Sequence, residues 1–440
     1  MKHGAWIVFV LVVGIGAVAQ TQAPPPPVSG SLQDQPTTQT YEPSNRPLSG
    51  VQNQDIGTPS ESRNTFVPSF SVSEGWDSNA PRITTTDSGT SSGITTLSLG
   101  LQLNKENAGH ATNLGYTGGG QIYTLDSDLN SQFHRLDFTQ NFLAGRWSFL
   151  LADSFTYQKD AFASSPALLF PGLIGPTGPG LHPGVGPGES IVGQNVGRIN
   201  NSSTGQLTYG FSRVTTLTSS VSYGVLHYFD NTDFLNTRQL SAGTGLDHRF
   251  GRNTIGLNYN FGSFSYENLP LKFDTHTVQA MFSHVLTGRW SFEAGGGPSI
   301  IATDYAIFRS TKVYGSGRVA MHYHVPNTDF SAQYERSITG GSGVLPGAIT
   351  DNLGVATTRK LSRSMSVNLS GGYARNAGTF VDSRFNSFYV GTGLSQAVGR
   401  YATVSFGYTG QFQTGNSVSD LSRHAVLVSF NWSFRPIVLH

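Results

Sequence analysis

From about residue 65 the chain alternates apolar and polar residues in segment after segment. Leu97, Leu99, Leu101 and Leu103 interleave with Thr96, Ser98, Gly100 and Gln102. Ile255, Leu257, Tyr259 and Phe261 interleave with Gly256, Asn258, Asn260 and Gly262, and Val426, Val428, Phe430, Trp432 and Phe434 with Leu427, Ser429, Asn431 and Ser433. A period of two predicts strands with one apolar and one polar face. Alternation alone also fits a soluble sandwich, so the character of the faces decides. The polar face is mostly Gly, Ser, Thr, Asn and Gln, with few Lys or Glu. The segments reach about ten residues, beyond the usual five or six and matching the ~9–11 of a tilted membrane strand.

Turn signals repeat on the same scale. Arg252, Arg289, Pro326-Asn327, Arg363 and Arg400 fall at steps of 37 residues. Arg213 lies 39 before Arg252, Arg146 lies 67 before Arg213, and Lys105-Glu106 lies 40 before Arg146. Fixed-period repetition marks a built array. Eight short turns on one rim separate nine hairpins, which predicts 18 strands. Longer polar connections are expected on the other rim near residues 79–92, 125–131, 161–195, 230–237, 266–273, 303–311, 339–348, 376–384 and 413–421. Short turns at one end and longer loops at the other are the asymmetry of outer-membrane barrels. The expected fold is all-β, a transmembrane antiparallel up-and-down β-barrel over residues 65–435.

Three segments strain this scheme. Asp153 falls in phase with Trp147, Phe149, Leu151, Phe155 and Tyr157, which calls for a bulge or a different phase. Pro298 calls for a bulge or an early strand end. The first strand, Thr65 to Asp77, contains Pro68; without it the count falls to 16.

Composition narrows the setting. Charged residues are 12% of the chain, about half the usual ~25%, which suits a wall facing lipid. The net charge of +1 leaves no electrostatic footprint for nucleic acid. Without cysteine, disulfides, thiolate metal sites, thiol nucleophiles and a lipoprotein anchor are excluded. Met1-Lys2-His3, the apolar run Ala5 to Val18 and Ala17-Val18-Ala19 read as a signal peptide over 1–19; the alternative is an uncleaved anchor. The run is shorter than the ~20 residues of a spanning helix. Residues 20–64, opening on Pro24 to Pro27 and rich in Gln, Ser and Thr, read as a disordered periplasmic segment or a tether to a partner. Residues 436–440 form a periplasmic tail beyond the last aromatic-rich strand, which resembles the C-terminal signal read by the barrel-assembly machinery.

Candidate chemistry is sparse. There are 12 His and many Ser, but no G-x-S-x-G elbow, and no enzyme, cofactor or catalytic residue is expected. His322 and His324, two apart on a strand, could ligate a metal or simply line a polar lumen. By phase Arg135, Asp137, Asp247, Arg249, Arg318, His322, His324 and Glu335 point inward. They read either as a selectivity region or as charges that neutralise one another along a wide wall. The loop Ala161 to Asn195 is long, Pro- and Gly-rich and nearly uncharged; it either folds into the pore or lies on the outer surface.

The segment Pro68-Ser-Phe-Ser-Val-Ser-Glu-Gly-Trp-Asp-Ser-Asn79 resembles the opening strand of the β-barrel porin type 2 family, in which an aromatic residue is followed by Asp, Ser or Asp, and Asn. Trp76, Asp77, Ser78 and Asn79 carry the match. The resemblance implies a porin-like barrel, and some members are linked to exopolysaccharide operons. Three functions are therefore expected in order: a passive channel for small solutes, a conduit assisting exopolysaccharide export or biosynthesis, and a structural or adhesive barrel without an open pore. Expected partners are outer-membrane lipid, the barrel-assembly machinery during insertion, and a small-solute or polysaccharide cargo.

Overall fold

The computed structural model describes residues 64–80, 90–107, 109–125, 127–160, 195–229, 234–267, 269–305, 308–341, 345–416 and 420–439. The expected signal segment 1–19, nearly all of the 20–64 tract and nearly all of the 161–195 loop lie outside these residues.

Eighteen long antiparallel strands follow one another around a closed sheet. They are β1 Thr65–Ala80, β2 Thr90–Asn107, β3 His110–Tyr123, β4 Ser131–Ala144, β5 Trp147–Asp160, β6 Asn195–Gly210, β7 Thr215–Tyr228, β8 Thr237–Phe250 and β9 Asn253–Tyr266. The other nine are β10 Leu269–Val285, β11 Trp290–Tyr305, β12 Phe308–Val325, β13 Thr328–Thr339, β14 Ala348–Lys360, β15 Met365–Gly378, β16 Arg384–Val398, β17 Ala402–Gly415 and β18 Leu421–Ser433. Each strand pairs with its sequence neighbours, and β1 closes the ring by pairing with β18, Ser69↔Ser433 through Asp77↔Ala425. Closure leaves no exposed edge, the condition for a sheet in lipid. The first strand thus belongs to the barrel and the count is 18, not 16. A two-residue strand, β19 Ile437–Val438, pairs with Thr65 and Phe66, so part of the expected tail extends the seam.

Seven of the eight short turns contain the residues that mark them in the sequence. The eighth is displaced: Lys105 and Glu106 pair within the β2–β3 ladder, and the chain turns at Gly109, whose φ is 82°. Gly145 and Gly251, each with φ 61°, open the two-residue turns before Trp147 and Asn253. A positive φ there matches the hairpin to strand twist, and glycine takes it without a Cβ clash.

On the opposite rim two expected long loops are absent. Only 267–268 join β9 to β10 and only 306–307 join β11 to β12. The other residues of the expected loops, 266, 269–273, 303–305 and 308–311, lie in strands. Leu271 and Phe273 are buried there against Phe264 and Ile301, which supplies the packing that keeps these hairpins extended.

The ladder absorbs Pro298 and Asp153 without a bulge. Thr277↔Ser299 and Ala280↔Gly296 keep one register, and the pairing merely lapses between them, where proline offers no N–H. The β5–β6 register is continuous through Asp153↔Ser203, so Asp153 lies on the same face as Trp147 and Phe149. Asn201 Nδ2 reaches its carboxylate at 3.3 Å and Ser203 Oγ donates to it.

The exterior is apolar. Leu97, Leu99 and Leu101 on β2, Ile255 and Leu257 on β9 and Phe406 on β17 are all exposed there. Near the short-turn rim, Trp147 packs on Tyr209 and Trp290 on Tyr323, at ring separations of 4.3 and 4.5 Å. Higher up, a second belt repeats one cross-strand contact five times. An outward tyrosine hydrogen-bonds a polar residue on the next strand, displaced by two from its direct partner. The pairs are Tyr116–His134, Tyr259–His276, Tyr334–Asp351, Tyr373–Asn386 and Tyr408–His424, at 2.7–2.9 Å. Two tyrosine-bearing girdles bounding an apolar band are what a bilayer imposes on a barrel.

Candidate functional site: the barrel lumen and its mouth

Alternation that turns leucines outward turns hydroxyls and amides inward. Ser71 and Ser98, Ser222 and Ser241, and Thr339 and Thr350 bridge neighbouring strands at 2.6, 2.5 and 3.0 Å. Thr350 donates onward to Asn376 at 2.8 Å. Such cross-strand pairs satisfy inner-wall groups and stiffen the ladder.

All eight sequence-predicted residues lie on the inner face, and the structure sorts them into separate groups. Arg135 is nearly buried on β4 and forms a salt bridge with Asp137, which also accepts from Ser154 Oγ at 2.8 Å. Asp247 is buried on β8, and its Oδ1 has no hydrogen-bond partner among the described residues. Arg249, close to the short-turn rim, donates to the carbonyl of Arg213 at 3.3 Å. Arg318 Nε lies 3.6 Å from Glu293 Oε1, and Glu335 stands opposite Arg318 in the β12–β13 ladder. His322 and His324 both contact Asp329, at 3.0 and 2.9 Å. Among the described residues no three His, Cys, Asp or Glu side chains form a group that could hold a metal ion.

Sequence reasoning missed Glu293 and Asp329, the carboxylates that pair with Arg318 and with His322 and His324. Both sit in phase on the inner face, so the signal was present. Glu293 lies near enough to Asp247 for the two carboxylates to repel. Glu293, Arg318 and Glu335 thus form a charged row across β11 to β13, with Asp247 adding a further negative charge.

The wide-loop end of the lumen has a different chemistry. Phe264 and Phe273 stack at 4.5 Å beside Tyr266, Leu271 and Ile301, all facing inward. Tyr228 and Phe234 stack at 4.7 Å in a separate cluster with Val196 and Leu226. The described ends of the connection between β13 and β14 reach the first cluster: Tyr266 donates to the carbonyl of Gly340 at 3.0 Å, from a strand four positions away around the ring. Gly347, with φ 79°, packs so close to Phe273 that a Cβ would sit 2.8 Å from its ring. Leu345 is buried with Ala348 and Phe385. The sequence marked this connection only as one polar loop among nine and gave no sign that its described ends pack against Tyr266, Phe273 and Phe385.

The remaining missed feature is the seam. Trp76 faces outward and exposed. Asp77 binds Arg423 of β18, with Nε 2.7 Å from Oδ2. Ser78 Oγ accepts from the amide of His424 at 2.8 Å, and Asn79 Nδ2 donates to the carbonyl of Ser422 at 3.0 Å. The three polar residues of the opening-strand motif therefore clasp the first strand to the last.

A closed 18-strand wall with an apolar exterior, two aromatic girdles and a polar interior defines a transmembrane β-barrel of the bacterial outer membrane. No family model matches the chain, and no curated protein matches it either. Among solved structures it is similar to OccK2 (OpdF) of Pseudomonas aeruginosa in complex with glucuronate, at 11% identity over 84% of this chain and 98% of that one, with a TM-score of 0.43. It is similar to a BenF-like porin of Pseudomonas fluorescens Pf-5 at 11% identity, 84% and 99% coverage and a TM-score of 0.44. It is also similar to the ferric-catecholate import receptor Fiu of E. coli K12 at 9% identity, 86% and 82% coverage and a TM-score of 0.44.

Proposed function

We propose that this chain is an outer-membrane channel for small polar solutes, without catalytic activity. The observation that carries the reading is the inner wall. It is lined by hydroxyls, amides and paired charges of both signs, and barrels of 16–18 strands are wide enough to leave an aqueous lumen. A polar wall facing water needs no protein partner for each group, whereas a packed barrel would. The paired charges Arg135–Asp137 and Arg318–Glu293 argue for weak ion preference rather than strong anion or cation selectivity. Proteoliposome swelling tests the reading: small neutral sugars and amino acids should enter, and larger oligosaccharides should be held back. Liposomes that admit none of them contradict it.

A second reading has its own support. Stacked inward aromatics at the mouth above a hydroxyl-lined wall are the surface on which a sugar polymer slides, since aromatic faces receive the apolar faces of sugar rings. With the likeness of Trp76 to Asn79 to the type 2 porin family, this favours a role in exopolysaccharide export. Deleting the gene and measuring surface polysaccharide tests it: unchanged polysaccharide removes the reading. Under either function we infer that 1–19 addresses the chain for secretion, 20–64 remains in the periplasm, 65–435 forms the barrel, and the barrel-assembly machinery inserts it.

A further inference from the structure

The exterior of β13 to β16 carries a row of three charged residues and an asparagine just above the upper tyrosine belt. Arg336, Asp351, Arg375 and Asn386 stand directly opposite one another across four successive strands. All four are on the outward face, since they keep phase with exposed Tyr334, Leu353, Tyr373 and Phe388. Arg384, also outward, lies two residues beyond Asn386 toward the long-loop rim.

Their height follows from the belt. Tyr334 is the seventh residue of its strand, so it sits roughly 15 Å from the short-turn rim at about 3.3 Å per residue and a tilt near 40°. Arg336 and Arg375 lie one turn of alternation higher. Against an apolar band of about 25 Å, that is the outer-leaflet boundary, where the long arginine stems can extend their heads to the headgroups.

The local charge balance is unusual for this rim. Elsewhere on the outward long-loop side, three described cations each have a carboxylate: Arg238 with Glu267 at 2.5 Å, Lys272 with Asp274 at 3.7 Å and Arg309 with Asp304 at 3.4 Å. On β13–β16, three arginines face two carboxylates. Asp351 takes Arg336 at 3.4 Å and the Tyr334 hydroxyl at 2.7 Å, and Asp382 takes Arg384 at 3.4 Å. Arg375 is exposed and has no ion-pair or hydrogen-bond partner among the described residues. An unpaired guanidinium at the edge of lipid calls for an anion, and its planar fork suits a phosphate.

We propose that Arg375, flanked by Arg336 and Arg384, binds a phosphate of a phosphorylated glycolipid in the outer leaflet. The lipid phosphate sits against Arg375 at the headgroup level, its acyl chains lie along the apolar exterior below the tyrosine belt, and Tyr373 and Asn386 hold the strand pair that presents the site. The ligand is a membrane component and not a solute of the lumen, so the proposal stands apart from the channel reading.

The test uses the full chain in detergent and native mass spectrometry with three probes: diphosphoryl lipid A, its dephosphorylated form and phosphatidylethanolamine. Diphosphoryl lipid A should bind at least tenfold more tightly than either phosphate-poor probe. The pair R375Q/R384Q should lose that preference, R375K/R384K should keep much of it, and R309Q on β12 should bind like the wild type. Equal binding of the phosphorylated and dephosphorylated lipid by the wild-type chain overturns the proposal without any variant. So does a folded R375Q/R384Q protein that binds undiminished. Displacement of the lipid by inorganic phosphate at low millimolar concentration overturns it as well, because the site would then be one for free phosphate.

Discussion

Arg423 and Asp77 form a fully buried ion pair on the two strands that close the barrel, 346 residues apart in the chain. The pair sits on the inner face at the long-loop end of the seam. With Ser78 and Asn79 it holds the first and last strands together at the long-loop end of the seam.

Removing one partner should therefore cost more than removing both. Asp77→Ala removes the carboxylate bonded to the buried Arg423 guanidinium, and the expected loss of folded-state stability is about 3–5 kcal/mol. The double variant D77L/R423M should lose less. Urea titrations of folding into lipid vesicles read both. A single variant as stable as the wild type would show that the pair does not secure the seam.

The packing of Gly340, Leu345 and Gly347 at the long-loop end should limit flow through the mouth. Leu345→Asp puts a carboxylate into the pocket of Ala348 and Phe385, and Gly347→Val drives a branched side chain into Phe273 and forces a residue that disfavours positive φ. Both changes should unseat the connection and raise single-channel conductance. Conductance equal to the wild type's in both would place the narrowest point elsewhere.

Charge selectivity should follow the Glu293–Arg318 row. Glu293→Gln removes one of the carboxylates beside Arg318 and relieves its repulsion of Asp247, shifting the reversal potential in a salt gradient toward anion preference. Arg318→Gln should shift it toward cations. Two shifts of the same sign, or none, would show that permeating ions do not sense this row.

Asp153 offers a test of the outward phase. A carboxylate on a lipid-facing position is costly even with Asn201 and Ser203 bonded to it. Asp153→Leu should raise barrel stability, measured by the same urea titration, whereas an inward Asp153 would make the change neutral or harmful in a polar wall.

Most of the wall was legible in the sequence because period-two alternation and turn chemistry are local. The Gly-Arg turns at Gly145-Arg146, Gly251-Arg252 and Gly399-Arg400 could be read directly, and their spacing carried the strand count. What escaped was of two kinds. Extra-membrane strand ends carry loop-like residues on their outward face, Pro270 and Lys272 on β10 and Arg309 and Thr311 on β12, since nothing forces apolar residues onto a face that leaves the lipid. Contacts between distant segments were hidden as well. Arg318, His322 and His324 could be found by phase, but their pairing with Glu293 and Asp329 is fixed by register across strands. Asp77 with Arg423, and Gly340 with Tyr266, depend on how ring closure brings strands far apart in the chain together. The misfit at Asp153 was visible, but the sequence could not say that the ladder tolerates it by bonding its carboxylate to the next strand.

The most direct test of the account is single-channel recording of the purified full-length chain in a planar lipid bilayer. An open, weakly selective lumen predicts discrete insertion steps with ohmic conductance that scales with salt concentration. A folded barrel that inserts and carries no current would contradict it.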